Sequence, residues 1–321
     1  MNLQSLFTDV PLAKFIADYL HRLPFSLAGN ARSVCKLGTW DAFSEMLTGP
    51  EGDVSAARGG QWYTGPPITQ RATARALVDD GHTVFIRHAE RRHRGLAELA
   101  AAFERTFHGP VNVHVFVTPP GAPGFSWHYD AEDVFIIHTQ GEKEYSLRKN
   151  TVNPWPLEET LPADMQYERE LMPLMRVLLR PGDLLYIPCG WWHKAEAKGS
   201  VPIFVNSRTA SDSDGPKMAT DPGEAAISLA VGVMSRSAMD VYDFLRARLM
   251  QSLVWRQRLP LPDAAEVSGV ELESAYRRLF AQLANDVAKT LADPQLVRDF
   301  LAQFEKPNEG DDGEASAGDP A

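Results

Sequence analysis

The spacing of apolar positions changes character four times along the chain. Between residues 10 and 50 it is helical: Leu12, Phe15, Ile16 and Tyr19 form one set, and Trp40, Phe43 and Met46 form another. Residues 51–70 lose that periodicity and are rich in Gly and Pro, which predicts an irregular loop. A helix is predicted at about 70–79, a short strand over Thr83–Ile86, and a second helix that places Leu96, Leu99, Phe103 and Phe107 on one face. From residue 111 the period shortens to two. Val111–Thr118, Val134–His138, Lys143–Arg148, Arg176–Leu179, Leu184–Ile187, Ile203–Ser207 and Ile227–Val233 are short β-branched or aromatic-rich runs between Gly, Pro and Asp turns. That density of strands predicts a jelly roll or barrel.

After about residue 235 the spacing is helical again, over 237–255 and 271–291, with Pro260 and Pro262 between. The apolar faces there (Val241, Phe244, Leu245 and Leu249; Tyr276, Leu279, Phe280 and Leu283) exceed what a helix pair buries on itself, so they pack on the barrel or on a second copy. The final stretch, KPNEGDDGEASAGDPA, has almost no apolar residues and is expected to be disordered. The expected organisation is a helical and strand cover over 1–110, a catalytic barrel over 111–234, a helical module over 235–305 and an acidic tail over 306–321. The fold class is mainly β with flanking helices: a double-stranded β-helix of the jelly-roll or cupin kind. No internal repeat is present.

Composition narrows the picture little. Hydrophobic residues are 44% and charged residues 23% of the 321, as in ordinary folded proteins. No run approaches the roughly 18 consecutive apolar residues of a membrane helix, and Asp9 and Asp18 interrupt the first apolar stretch. Two cysteines, Cys35 and Cys189, give no disulfide framework, and the expected setting is cytoplasmic. Net charge is −10, of which the last sixteen residues supply −4, and the acidic balance argues against nucleic acid as a partner.

Candidate chemistry lies in two segments. GFSWHYDAEDVFIIHTQGEKEYSL places His128 and Asp130 two positions apart, which on a strand turns both side chains to one face. PGDLLYIPCGWWH supplies His193, where a strand ends at Pro188 and a short turn delivers the imidazole. An HxD pair alone is common by chance. Joined to a hairpin carrying Lys143 and to the second segment, it points to an iron site, because two His and one carboxylate leave positions on octahedral Fe(II) open for dioxygen and a bidentate keto acid. Lys143 shares a face with Tyr145 and Leu147, so it points inward and needs an anion. The distal carboxylate of 2-oxoglutarate would supply one.

These residues resemble the JmjC-type ribosomal-protein oxygenases and, more distantly, the asparaginyl hydroxylase acting on hypoxia-inducible factor. VHVFVTPPGAPGFSWHYDAEDVFIIHTQGEKEYSL is similar to the family's strand, Gly/Pro loop, HxD and hairpin, and PGDLLYIPCGWWH is similar to its second signature. The resemblance, over about residues 10–290, implies an Fe(II)- and 2-oxoglutarate-dependent oxygenase. Its iron ligands would be His128, Asp130 and His193, and its co-substrate lysine Lys143. It implies hydroxylation of an amino-acid side chain in a protein or peptide of ribosomal type, and a homodimer through the helical module. Where eukaryotic members carry a tyrosine that binds 2-oxoglutarate, this chain has Phe116, with Ser207 or Thr209 as candidates to compensate. A tRNA-base hydroxylase and an N-methyl-lysine demethylase use the same ligands; a cupin that binds metal without turnover is the rival of another class.

The remaining residues divide between site and scaffold. Trp127, Trp191 and Trp192 flank the ligands as pocket walls or core filler, and Arg208 faces an anion or a surface partner. His114, His138 and Cys189 lack ligand spacing and read as structural. The basic run Arg87, His88, Arg91, Arg92, His93 and Arg94 reads as a solvated helix start.

Overall fold

The structure, a computed structural model, describes residues 2–49, 53–121, 125–161, 174–198, 225–261 and 269–303. In chain order its elements are α1 (Leu12–Asp18), β1 (Phe25–Leu27), α2 (Trp40–Glu45), β2 (Val54–Arg58), β3 (Gln61–Trp62), α3 (Arg71–Asp79), β4 (Thr83–Ile86), α4 (Arg94–Phe107) and β5 (Val111–Thr118). They continue with β6 (Asp133–Gln140), β7 (Glu142–Arg148), β8 (Met175–Leu179), β9 (Leu184–Ile187), β10 (Trp192–Lys198), β11 (Ala226–Val233), α5 (Ala238–Leu249), α6 (Leu253–Arg256), α7 (Gly269–Leu291) and α8 (Pro294–Leu301). The chain separates into two compact units, Met1–Ser235 and Arg236–Ala321.

In the first unit the described strands form two antiparallel sheets: a large one in the order β1-β9-β6-β11-β5-β4-β2-β3 and a small one in the order β10-β7-β8. Val134, Ile136, Leu185, Ile187 and Ala230 of the large sheet pack against Tyr145, Leu147 and Leu179 of the small one, so the sheets face each other as a double-stranded β-helix. The opposite face of the large sheet (Val113, Val115, Val117, Phe135, Ile137, Ile227, Leu229 and Val231) carries the main core with Leu96, Leu99 and Phe103 of α4. Strand β11 reads AISLAVGV: Ile227, Leu229, Val231 and Val233 face that core, while Ser228, Ala230 and Gly232 face the space between the sheets. Small side chains on that face leave room for a cavity.

Three expectations are corrected. The 10–50 region is not wholly helical, because Phe25 and Leu27 alternate with Ser26 and pair β1 to the edge strand β9. The 51–70 segment carries a hairpin, β2 to β3, closed at Gly59 and Gly60, which both take positive φ. The strands beside the HxD motif are not a hairpin: β6 and β7 belong to different sheets, and the chain turns the corner at Gly141 (φ +69°), where a Cβ would sit 3.0 Å from Ala226 Cα. The expected strand Ile203–Ser207 and the tail 306–321 lie outside the described residues.

The second unit contains α5 to α8. Ser237 caps α5, accepting from Met239 N at 3.1 Å while Asp240 accepts from Ser237 N at 2.7 Å. Phe244 of α5 packs on Phe300 of α8 with ring centroids 5.4 Å apart, and Trp255 Nε1 donates to Asp286 of α7 at 3.0 Å. Met239, Tyr242, Leu253 and Phe280 are exposed. Among the described residues, no helix is long and apolar enough to cross a membrane.

Candidate metal centre

His193 is the second residue of β10, a strand hidden in the sequence because WHKAEAK is mostly polar. Its inward residues sit opposite those of β7: His193 with Leu147, Ala195 with Tyr145, Ala197 with Lys143. The turn before it depends on Gly190, whose φ is +76° and whose Cβ would lie 2.6 Å from Pro154 O. His128 is held opposite His193 by a two-bond bridge, His193 N donating to His128 O at 2.8 Å and His128 N to His193 O at 3.1 Å. Asp130 follows in extended chain, its carbonyl accepting from Gly190 N at 2.9 Å.

The ligand atoms of His128, Asp130 and His193 lie within 4.8 Å of one another. His193 Nε2 is 3.4 Å from Asp130 Oδ2, and the two imidazole rings are 4.2 Å apart. Each imidazole donates its Nδ1–H to a backbone carbonyl two residues upstream, His128 to Ser126 O at 2.8 Å and His193 to Trp191 O at 3.0 Å. That fixes the tautomer and leaves both Nε2 lone pairs for a cation. Burial, with His128 beside it, holds His193 well below the ordinary imidazole range, in the neutral form that ligates. The donor set fits a 2-His-1-carboxylate metal.

Behind the centre stands a residue that sequence reading missed. Asp133 is buried and accepts from Tyr186 Oη, Ser235 Oγ and Cys189 N, with His21 Nδ1 at 2.9 Å. Its bond to Cys189 N ties the metal loop to the turn that delivers His193. These bonds hold its carboxyl below the usual range despite burial. Burial first, then Asp133, pushes the Cys189 thiol up to about 12, so it stays protonated and outside the ligand set.

The triad opens on a cavity of about 440 Å³ between the sheets. At one end Lys143, 5% exposed, donates to Thr118 Oγ1 at 3.1 Å and lies 5.8 and 5.7 Å from the ring centroids of Phe116 and Tyr145. No carboxylate pairs with it among the described residues, and burial brings its ammonium down to about 8. His138 is structural: Nε2 donates to Gly141 O at 2.9 Å, so Nδ1 accepts from Ser228 Oγ at 3.1 Å, and burial keeps the ring neutral, near 4.

The cavity wall is aromatic. Phe85 stacks on Phe116 at 5.4 Å, Phe125 reaches from Phe116 (6.1 Å) to His128 (6.0 Å), and Trp62, 58% exposed, closes over Phe85 and Phe125 from β3. Trp62 takes the place expected for Trp127, Trp191 or Trp192, none of which lines this cavity. Trp192 packs on Tyr129, and Lys194 lies over Trp127. His114 also lines the cavity and accepts from His88 N at 3.2 Å. The basic run is divided among separate tasks: Arg92 is buried against Asp53 and Met46 O, His93 caps α4, and Arg87 lines the cavity. Glu132 was also missed; it lines the cavity, accepts from Asn112 Nδ2, and its carboxyl is pushed up by burial to about 7. Ser207, Arg208 and Thr209 lie outside the described residues.

Residues 88–213 match the family model of the JmjC domain. Over that segment the chain is similar to the JmjC domain. The bifunctional lysine-specific demethylase and histidyl-hydroxylase NO66 of Drosophila erecta is 29% identical over 214 residues, covering 63% of this chain and 32% of that relative. The protein of the same name from Drosophila persimilis is 34% identical over 100 residues, 31% of this chain and 14% of the relative. The chain thus spans about a third or less of these curated relatives. The Escherichia coli ribosomal oxygenase YcfD superposes with a TM-score of 0.57 at 17% identity, covering 92% of this chain and 70% of that one. Its complex with cobalt and 2-oxoglutarate superposes at 0.53 and 16% identity, covering 91% and 70%. At these identities the likeness is one of fold, and the JmjC barrel is that fold.

Proposed function

We propose that the chain is an Fe(II)- and 2-oxoglutarate-dependent oxygenase that hydroxylates an amino-acid side chain of a protein or peptide, of the kind acting on ribosomal proteins. The observation that carries this reading is the pairing, in one cavity, of a triad whose histidines are both held as Nε2 ligands with a buried Lys143 that meets no carboxylate among the described residues. His128, Asp130 and His193 hold the metal. Lys143 neutralises the distal carboxylate of 2-oxoglutarate. A bound iron supplies the activation of dioxygen, coupled to oxidative decarboxylation of the keto acid to succinate. The chain's own task is geometric: Phe85, Phe116 and Phe125 exclude water, and Ala230 and Gly232 leave space for co-substrate and substrate. The Phe116 departure leaves Lys143 and Thr118 at the carboxylate end, with Ser207 and Thr209 as further hydroxyl candidates.

Similar proteins support the same class, since they include a histidyl-hydroxylase and a ribosomal oxygenase. Cys35 and Cys189 are both free thiols, which suits a reducing compartment, and we infer the cytoplasm. Exposed apolar residues on α5 to α7 support a homodimer, to be checked by light scattering. The reading is tested by mass spectrometry of ribosomal proteins from cells with and without the gene. A gain of one oxygen atom on a side chain, present only with the gene, is expected; formaldehyde release from an N-methyl-lysine peptide would transfer the reading to a demethylase.

A further inference from the structure

A second cleft, of about 600 Å³, shares no lining residue with the metal cavity. Three loops build it: one at His21–Leu23 between α1 and β1, one starting at Lys149 after β7, and the turn at Cys189–Trp191. They are fastened in place. His21 N donates to Tyr186 Oη at 2.8 Å, and Gly190 packs so closely on the second loop that a Cβ would lie 2.6 Å from Pro154 O. The lining is one-sided in charge. Arg22, which donates to Ala17 O, and Lys149 meet no carboxylate among the described residues, and no acidic residue lines the cleft. Asn150, 3% exposed, adds a donor. Its Oδ1 accepts from Val152 N at 3.0 Å and from Asn153 N at 2.9 Å, which fixes the amide's orientation. Its Nδ2 is left buried with no acceptor among the described residues. Two tryptophans complete the lining: Trp191, and Trp155, which is 77% exposed.

A buried donor without an acceptor costs stability until a ligand brings one. Beside two cations that ligand is an anion, and an exposed indole on the same cleft calls for a flat ring attached to it. We propose that the cleft takes a nucleotide, free or within single-stranded RNA: Asn150 Nδ2, Arg22 and Lys149 donate to the phosphate oxygens, and Trp155 stacks on the base. The volume lies within the roughly 300–1,000 Å³ of small-molecule sites. A phosphoserine peptide would answer the cations but leave the indole bare. The chain's net charge of −10 opposes long-range attraction of RNA, yet beyond roughly 8 Å that charge is screened at physiological ionic strength, so the cleft's own cations decide. No metal ligand takes part, and the proposal stands apart from the oxygenase reading.

The test follows the fluorescence anisotropy of a short labelled oligouridylate with the full chain, using AMP, inorganic phosphate and a phosphoserine peptide as competitors. Saturable binding is expected, displaced by AMP at lower concentration than by inorganic phosphate. Arg22→Gln combined with Lys149→Gln should weaken it by roughly tenfold or more, and Trp155→Ala by about tenfold. Asn150→Asp keeps an acceptor for the Val152 and Asn153 N–H groups but replaces Nδ2 by oxygen, and should weaken binding at least as much; melting curves check that this buried variant folds. Arg22, Lys149 and Trp155 are exposed, so their variants keep the fold. Two phosphate contacts give a log–log salt slope of roughly −1.4 on a single strand, which should flatten in the double variant. RNA held more tightly than AMP assigns the cleft to RNA, and equal affinity assigns it to the free nucleotide. The proposal is overturned by no saturable binding of either probe, by unchanged affinity in Asn150→Asp and the double variant, or by stronger displacement with the phosphoserine peptide than with AMP.

Discussion

The two faces of the large sheet are built from the same strands and do opposite work. On one face Val113, Val115, Val117, Phe135, Ile137, Ile227, Leu229 and Val231 are large, apolar and fully buried. On the other, Asn112, His114, Phe116, Thr118, Ser228, Ala230 and Gly232 are small, polar or aromatic, and His114, Phe116, Ala230 and Gly232 among them line a cavity. The difference teaches that a strand period of two lets one segment serve stability and chemistry together, provided the register holds, since a slip of one residue would exchange the faces. Substitutions on the first face should therefore cost stability and those on the second should cost ligands.

The largest expected effect is on the core face. Phe135 contacts the rings of Phe15, Phe103, Phe107 and Tyr186, so Phe135→Ala should lower unfolding free energy by about 3–5 kcal/mol, read from denaturant melts. Across the sheet, His193→Ala should weaken Co(II) binding by more than about a hundredfold, read by absorption titration, while unfolding stays cooperative. An equal loss of cooperativity in both variants would break the division of labour.

Smaller effects sharpen the cavity's cationic end. Lys143→Met should weaken 2-oxoglutarate binding by roughly tenfold or more without destabilising the empty chain, because it removes a buried ammonium. The pH dependence follows the same group. Its proton is held below about 8 in the empty cavity and is needed for the anion, so affinity is full at lower pH and falls as pH rises above that value. Calorimetric titrations at several pH values check this, and the fall should vanish in Lys143→Met. Phe116→Tyr should tighten 2-oxoglutarate by only a few-fold, the worth of about one added hydrogen bond.

Much of the site was legible because its chemistry is written in short spacings. HxD, the inward face of Lys143, and the PGDxxYIPxGxxH run bring His128, Asp130, Lys143 and His193 to one cavity, and the last strand's small residues stand in plain alternation. What was not legible depends on long-range pairing. Strand β10 is hidden by polar residues that only its partner β7 makes sense of, and the β6–β7 corner looks like a hairpin until the two sheets are seen. Trp62 reaches the cavity only because β2 and β3 extend the sheet, from a segment whose glycines and prolines read as loop. Asp133 and Glu132 follow Asp130 in a run of acids that sequence alone does not divide; the fold turns one to the loop behind the metal and the other into the cavity.

The central claim is that the triad and Lys143 form one working centre, and its most direct measurement is succinate formed from 2-oxoglutarate by the full chain with Fe(II), dioxygen and a pooled digest of ribosomal proteins. The account predicts iron-dependent succinate from the wild type and background levels from His128→Ala, with the variant's melting transition still cooperative. Wild-type chain that binds iron but forms no succinate, or His128→Ala turning over at the wild-type rate, would contradict it.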